Sequence, residues 1–299
     1  MLTGQNKIII NLKMIFERKL SWILVGAVTL YILLFLSLRW GQTRLIFHPD
    51  SLIKSTPQKH NLDYQDVWLD VEQDRVHGWW IPSLEATAPV LLYFHGNGSN
   101  NGDLVDLALT FHKLGLSVLL IDYRGYGKSS QIFPNETRVY QDAAAAWQYL
   151  TKIRQINPKK IVVYGHSLGG AIAIELATKH PEMAGLITEG TFTSIKNMVI
   201  HDKLLSIFPL DWLITQHFDS ITKIKSVQVP LLMFHGTEDE IIPILMAKKL
   251  YASAPQPKQL VIIPEANHSN LDLVGGQKYL LNLQQFIKSV TTDDLANRL

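Results

Sequence analysis

No cysteine occurs in the 299 residues, which excludes a disulfide framework, a thiol nucleophile and a thiolate metal site. The same absence leaves the redox compartment open. There is no HExxH and no clustered set of histidines and carboxylates, so neither a catalytic metal nor a cofactor is expected. A one-sided charge is missing too. The formal net charge is +2, but residues 1–44 alone carry an excess of five positive charges, which leaves the rest mildly acidic. A mildly acidic body has no basic surface for nucleic acid. No internal repeat or low-complexity tract interrupts the chain, and its 47% hydrophobic content is ample for a core.

Charge is absent altogether from Leu20 to Leu38. Nineteen residues at ~1.5 Å rise span about 29 Å, close to the hydrocarbon thickness of a bilayer. Trp22 and Trp40 stand near its two ends, where interfacial aromatics are favoured. A cleaved signal peptide is the rival reading, but its apolar region is usually ~7–15 residues long and ends in a small-residue site, which is not found here. The expectation is a tail over 1–19, an uncleaved single-pass membrane anchor over 20–38 and a juxtamembrane connector over 45–64. Lys7, Lys13, Arg18 and Lys19 precede the span and Arg39 and Arg44 follow it. That excess favours a cytoplasmic N-terminus with the body on the extracytoplasmic side. Translation from Met14 in place of Met1 would remove Lys7 and Lys13 and weaken that orientation.

Downstream, Asp66–Val71 and Arg75–Ile81 alternate as the strands of a hairpin around Gln73-Asp74. Apolar runs at Pro89–Phe94, Ser117–Ile121, Lys159–Tyr164, Gly185–Thr188, Pro230–Phe234 and Gln259–Ile263 read as buried strands. Helices are expected at 103–114, 136–154, 171–177, 244–252 and 276–290. Strands alternating with helices imply one doubly wound, mostly parallel domain over 65–290. A cap insertion lies at 190–228 and a tail at 291–299.

Gly165-His166-Ser167-Leu168-Gly169 follows one of those strands and precedes the helix-forming Ala171–Ala177. A bare GxSxG is common. With a strand before it and a helix after it, the pattern predicts a sharp turn that presents Ser167 at a helix N-terminus, where developing negative charge is favoured. His95-Gly96-Asn97-Gly98 ends another strand and offers the close backbone approach that an oxyanion site needs. The N–H groups of Asn97 and Leu168 are the expected donors. Asp239 follows Ser167 by 72 residues and His268 follows Asp239 by 29, each just after a strand. The order Ser…Asp…His suits a nucleophile, an orienting acid and a base. Rival acids are Glu238, Glu240, Asp272 and Glu189. His166 is expected to fill the elbow and not to act as a second base.

Gly125-Tyr126-Gly127-Lys128-Ser129 imitates the end of a phosphate-binding loop, but the required earlier glycine is Asp122. Asp122 and Arg124 read instead as braces near the site entrance. Taken together, His95–Gly98, Asp122–Ser129, Gly165–Gly170, Gly236–Asp239 and Asn267-His268 resemble the α/β-hydrolase superfamily, and within it the bud-emergence-type branch of membrane-anchored serine hydrolases. Thr191–Ile195 and Phe218–Ile224 fit the same branch. The resemblance implies an eight-stranded, mostly parallel sheet with helices on both faces and a short helical cap. It also implies relatives among depalmitoylases, lysophospholipases and monoacylglycerol lipases. Where several relatives have Gly before the histidine and Asn-Asp after it, this chain has Asn267 before it and Ser269-Asn270 after it.

The expected function is hydrolysis of a small-molecule or lipid ester or thioester by Ser167, His268 and Asp239. A non-catalytic acyl-binding module, an acyltransferase and a peptidase are the alternatives. Between 190 and 228, Met198, Val199, Ile200, Leu204, Leu205, Ile207, Phe208, Leu210, Trp212 and Leu213 supply an apolar lining for an acyl chain, or simply seat the cap on the body.

Overall fold

In a computed structural model describing residues 4–203, 205 and 207–292, with side chains from residue 11, a 43-residue helix comes first (α1, Gly4–Ile46). Its most apolar window has a mean hydropathy of 2.2 and is unburied, so α1 is long and apolar enough to cross a bilayer. A hairpin follows, β1 (Gln65–Val71) and β2 (Asp74–Ile81). Its turn falls one residue earlier than expected, because Glu72 takes a positive φ of 56° and Asp74 already pairs with Val71.

The remaining strands are β3 (Val90–Phe94), β4 (Ser117–Asp122), β5 (Ile161–His166), β6 (Gly185–Glu189), β7 (Leu231–Gly236) and β8 (Lys258–Ile263). Every residue of β3, β4, β6 and β7 is buried, as strands covered on both faces require. The eight strands form one sheet in the order β1-β2-β4-β3-β5-β6-β7-β8. Pairing is parallel from β4 across to β8 and antiparallel at β1–β2 and β2–β4. The mostly parallel eight-stranded sheet expected from the sequence is therefore present.

Alternate residues of each strand feed opposite layers. Leu92, Leu119, Val163 and Leu186 meet one layer with the helices α3 (Glu136–Gln148), α4 (Leu168–Lys179) and α8 (Ile244–Ser253). Leu91, Leu120, Val162 and Ile187 meet the other with α2 (Val105–Lys113) and α9 (Leu271–Thr291). Gly276, with φ 44°, kinks α9 at the position where its start was expected. The helix expected to run to residue 154 changes to a π turn after Gln148.

The described residues of 190–228 include three short α-helices, α5 (Ile195–Asp202), α6 (Leu210–Leu213) and α7 (Ser220–Lys223). Phe208 and Leu213 are buried there, whereas Ile200, Ile207 and Trp212 are exposed. Leu204, one of the expected lining residues, lies outside the described residues. The parallel register brings the C-terminal ends of β3, β5, β6, β7 and β8 to one edge of the sheet, and the chemistry-bearing loops with them. A cavity of about 970 Å³ opens at the opposite edge, beside Ala184, Pro230, Lys258 and Phe286.

Candidate active site

Ser167 sits between β5 and α4 with φ 55° and ψ −118°, a conformation a non-glycine residue holds only when its surroundings impose it. The imposition is visible. The Ser167 N–H donates to the Glu189 carbonyl (2.8 Å), and its own carbonyl accepts from Gly170 N–H (3.0 Å) and the Thr191 hydroxyl (2.8 Å). Gly169 has no room for a side chain, because a Cβ there would overlap the Phe94 carbonyl at the end of β3. The elbow and the loop after β3 thus lie in direct contact.

The Ser167 hydroxyl is 3.0 Å from His268 Nε2, and His268 Nδ1 is 2.8 Å from Asp239 Oδ2. The other Asp239 oxygen accepts the N–H groups of Ile241 (3.0 Å) and Ile242 (2.8 Å). Those bonds assign the His268 tautomer: Nδ1–H donates to the carboxylate, and Nε2 accepts from the serine. Gly190, at φ 53°, lies against the His268 ring, and an added Cβ would stand 3.3 Å from it. The three residues are 8–9% exposed, the Asp239 side chain being fully covered and that of His268 open at 10%. Such an arrangement can deprotonate a hydroxyl during attack on a carbonyl and return the proton to a leaving group.

Residues 85–222 match the family described as serine aminopeptidase, S33. Protein bem46 of Schizosaccharomyces pombe is 35% identical over 238 residues, which are 74% of this chain and 76% of that protein. The alpha/beta hydrolase domain-containing protein WAV2 of Arabidopsis thaliana is 32% identical over 271 residues, 83% of this chain and 87% of the relative. This chain belongs to the α/β-hydrolase superfamily, in its bem46-like branch. Among solved structures, the Pyrococcus furiosus esterase Pf2001 superposes with a TM-score of 0.70 at 19% identity, over 83% of this chain and 99% of that one. At that identity the likeness is one of fold. Membership makes hydrolysis the class of chemistry.

Within this α/β-hydrolase the rival acids lie elsewhere. Glu238 and Glu240 are exposed, and Asp272 stands in the first turn of α9. Glu189 turns away from His268 and accepts from the phenols of Tyr164 and Tyr279, the latter at 2.8 Å. Burial would push the Asp239 carboxyl up. The hydrogen bond from His268, the Ile242 N–H and the neighbouring imidazoles outweigh it and hold the carboxyl below its ordinary value.

His166 does more than fill the elbow: its Nε2–H donates to the backbone carbonyl of His268 (3.0 Å), tying the turn to the histidine loop. His235 Nε2–H donates to the Ile242 carbonyl (2.8 Å) and so braces the loop that presents Asp239. Burial lowers the pKa of both imidazoles. The first bond has no local sequence signal, because it joins residues that only the sheet brings together, whereas the second closes a short loop after β7.

Asn97 stands in the loop after β3. Its side chain donates to the Ile46 carbonyl (2.7 Å), and its carbonyl accepts from Tyr126 (2.8 Å) and His48 N–H (3.3 Å). Leu168 is the first residue of α4. Asp122 and Arg124 are both buried. Arg124 pairs with Asp142 (2.7 Å), and Asp122 holds the N–H of Asn101 (2.8 Å). Ser129, the false phosphate-loop residue, accepts from His77 N–H and so ties its loop to β2. Among the described residues no group of three or more His, Asp or Glu is arranged to hold a metal ion.

Proposed function

We propose that this protein is a membrane-anchored serine hydrolase that cleaves carboxylic esters or thioesters, with a lipid or acyl substrate. The reading rests on one observation: an unbroken relay from the Ser167 hydroxyl through His268 to Asp239, at 3.0 and 2.8 Å. Ser167 attacks the carbonyl carbon while His268 takes its proton. Asp239 stabilises the imidazolium that forms. The N–H groups of Asn97 and Leu168 receive the oxyanion. Collapse expels the alcohol or thiol, which takes the proton from His268. Water, deprotonated by the same imidazole, then releases the acid and regenerates the serine.

Residues 20–38 are the anchor and 65–290 the catalytic domain, with 190–228 as its cap. The basic excess before the span orients the body to the extracytoplasmic side. Purified protein should label with a fluorophosphonate probe and turn over p-nitrophenyl esters, and Ser167→Ala should abolish both, with turnover falling by roughly 10⁶. Turnover that survives Ser167→Ala defeats the assignment. The serine aminopeptidase match favours amide cleavage by the same residues as a second reading. Parallel assays on p-nitroanilides and p-nitrophenyl esters separate the two.

A further inference from the structure

The cap does not merely sit over the body; it lies along α1. Phe208 stacks on Tyr31 with ring centroids 4.9 Å apart and also meets Phe35 at 6.2 Å. The Tyr31 hydroxyl donates to the Ile207 carbonyl (3.1 Å). Higher up, Arg39 donates to the Trp212 carbonyl. Gln42 donates to the Leu213 carbonyl (3.1 Å) and accepts from the N–H groups of Thr215 (2.8 Å) and Gln216 (3.0 Å). Phe47 then meets Phe218. Residues 207–218 therefore climb beside residues 31–47 in step.

That register fixes a depth. Tyr31 precedes Leu38, the last uncharged residue of the span, by seven positions, which is about 10 Å along a helix. The span has no slack, because its 19 residues reach only about 29 Å and are bounded by Arg18-Lys19 and Arg39. Sliding the bilayer toward the N-terminus to clear the cap would draw Lys19, Arg18 and Glu17 into hydrocarbon, which is strongly disfavoured. Tilting shortens the reach further.

The exposed side chains agree with immersion. Ile207 is 70% exposed and Trp212 74%, with Trp212 level with Arg39, where an interfacial tryptophan belongs. Asp211 beside it pairs with Lys196, which suits headgroup depth and not the bilayer centre.

We infer that the cap edge formed by Ile207, Phe208 and Trp212 is seated in the same bilayer leaflet that α1 leaves, so that the site opens at headgroup level. The inference rests on the anchor reading above. The exit of α1 is close to the chemistry: Ile46 and His48 both bond Asn97, and an added Cβ at the adjoining Gly96 would lie 3.4 Å from the Ser167 Cβ. An ester or thioester whose acyl chain stays in the bilayer would meet Ser167 without leaving it.

The absence of cysteine makes the test clean. Full-length single-cysteine variants Leu30→Cys, Ile207→Cys, Trp212→Cys and Ile153→Cys are labelled with a nitrobenzoxadiazole dye. They are then reconstituted in phosphatidylcholine vesicles that carry doxyl-labelled lipid. Ile153 is exposed in the π turn after α3, next to Arg154, which bonds Gln65 at the start of β1 on the opposite edge of the sheet, and serves as the aqueous reference. Fluorophosphonate labelling of each variant reports the fold.

Positions 30 and 207 should be quenched by chain-labelled lipid, position 212 by lipid labelled near the headgroup, and position 153 by neither. Quenching at 30 with 207 and 212 behaving like 153 overturns the inference and leaves the anchor standing. No quenching at 30 removes the anchor, and the inference with it. Labels at 207 and 212 shielded from both doxyl lipid and aqueous iodide would mean a protein partner on this edge, which also overturns it. As a second readout, Ile207→Glu should lower the ratio of turnover on a vesicle-embedded long-chain ester to turnover on a soluble short-chain ester by about tenfold. An unchanged ratio counts against immersion.

Discussion

Two aspartates at one edge of the sheet each face histidines, and their surroundings set them apart. Asp239 presents one oxygen to His268 at 2.8 Å and gives the other to two N–H groups, and the far nitrogen of that imidazole meets a hydroxyl. Asp122, at the end of β4, is sealed. Its oxygens stand 3.7 Å from His77 Nδ1 and 3.8 Å from His95 Nε2, and Oδ2 has no hydrogen-bond partner. His77 already donates to Asp66 (2.6 Å), and His95 to the Gly96 carbonyl (2.7 Å). Neither imidazole comes within hydrogen-bond distance of Asp122. Residue type is the same in the two clusters; what differs is whether carboxylate and imidazole stand within hydrogen-bond distance, and whether the imidazole has a hydroxyl beyond it.

Replacement of each acid by its amide is the sharpest contrast. Asp239→Asn should leave the fold intact and lower kcat by about 10⁴, as expected when an imidazole loses the partner that sets its tautomer; steady-state kinetics on a p-nitrophenyl ester reads it. Gly190→Ala comes next. The added methyl presses on the His268 ring in a strained backbone conformation, and a displacement of the base should cost roughly 10² in kcat with KM little changed. An undisturbed kcat would mean that the ring has freedom to move.

Asp122→Asn should keep turnover close to the parent. The amide keeps an oxygen to accept the Asn101 N–H and replaces only the carboxylate oxygen that has no hydrogen-bond partner, so stability should be unchanged or slightly higher, as denaturant melts would show. A collapse of activity would make the sealed cluster part of the machinery.

The smallest effect is a slope. Burial lowers the pKa of His95, His166 and His235 below the ordinary 6.5. The unfolded chain therefore binds more protons than the native one as pH falls through about 6.5, and stability declines on acidification. Asp142, pushed up to about 6 by burial against the pull of Arg124, takes up its proton in the native state first and works in the opposite sense at lower pH. Thermal melts between pH 7.5 and 6 should thus show the midpoint falling with pH. A flat profile would mean that these imidazoles are not buried in solution.

Much of this molecule is legible locally. A strand that breaks into Gly-His-Ser-Leu-Gly and then a helix announces an elbow, because only a glycine-flanked turn can bend there. A charge-free run of nineteen residues announces a helix long and apolar enough to cross a bilayer, and α1 is one. Alternation of apolar runs with helical stretches yields the parallel sheet, and with it the edge to which Ser167, Asp239 and His268 are carried. The hairpin turn and the end of α3 were displaced because they depend on single backbone angles that composition does not specify.

The chain alone, then, determined the sheet, the elbow and the placing of Ser167, Asp239 and His268 after successive strands, since these follow from short-range sterics and hydrophobic period. Only the folded molecule decided that Asp239 and not Glu189 meets His268, that His166 ties the elbow to the histidine loop, and that residues 207–218 lie along α1. Each of those contacts joins residues far apart in sequence, and distances of that kind exist only after the strands have taken their places beside one another.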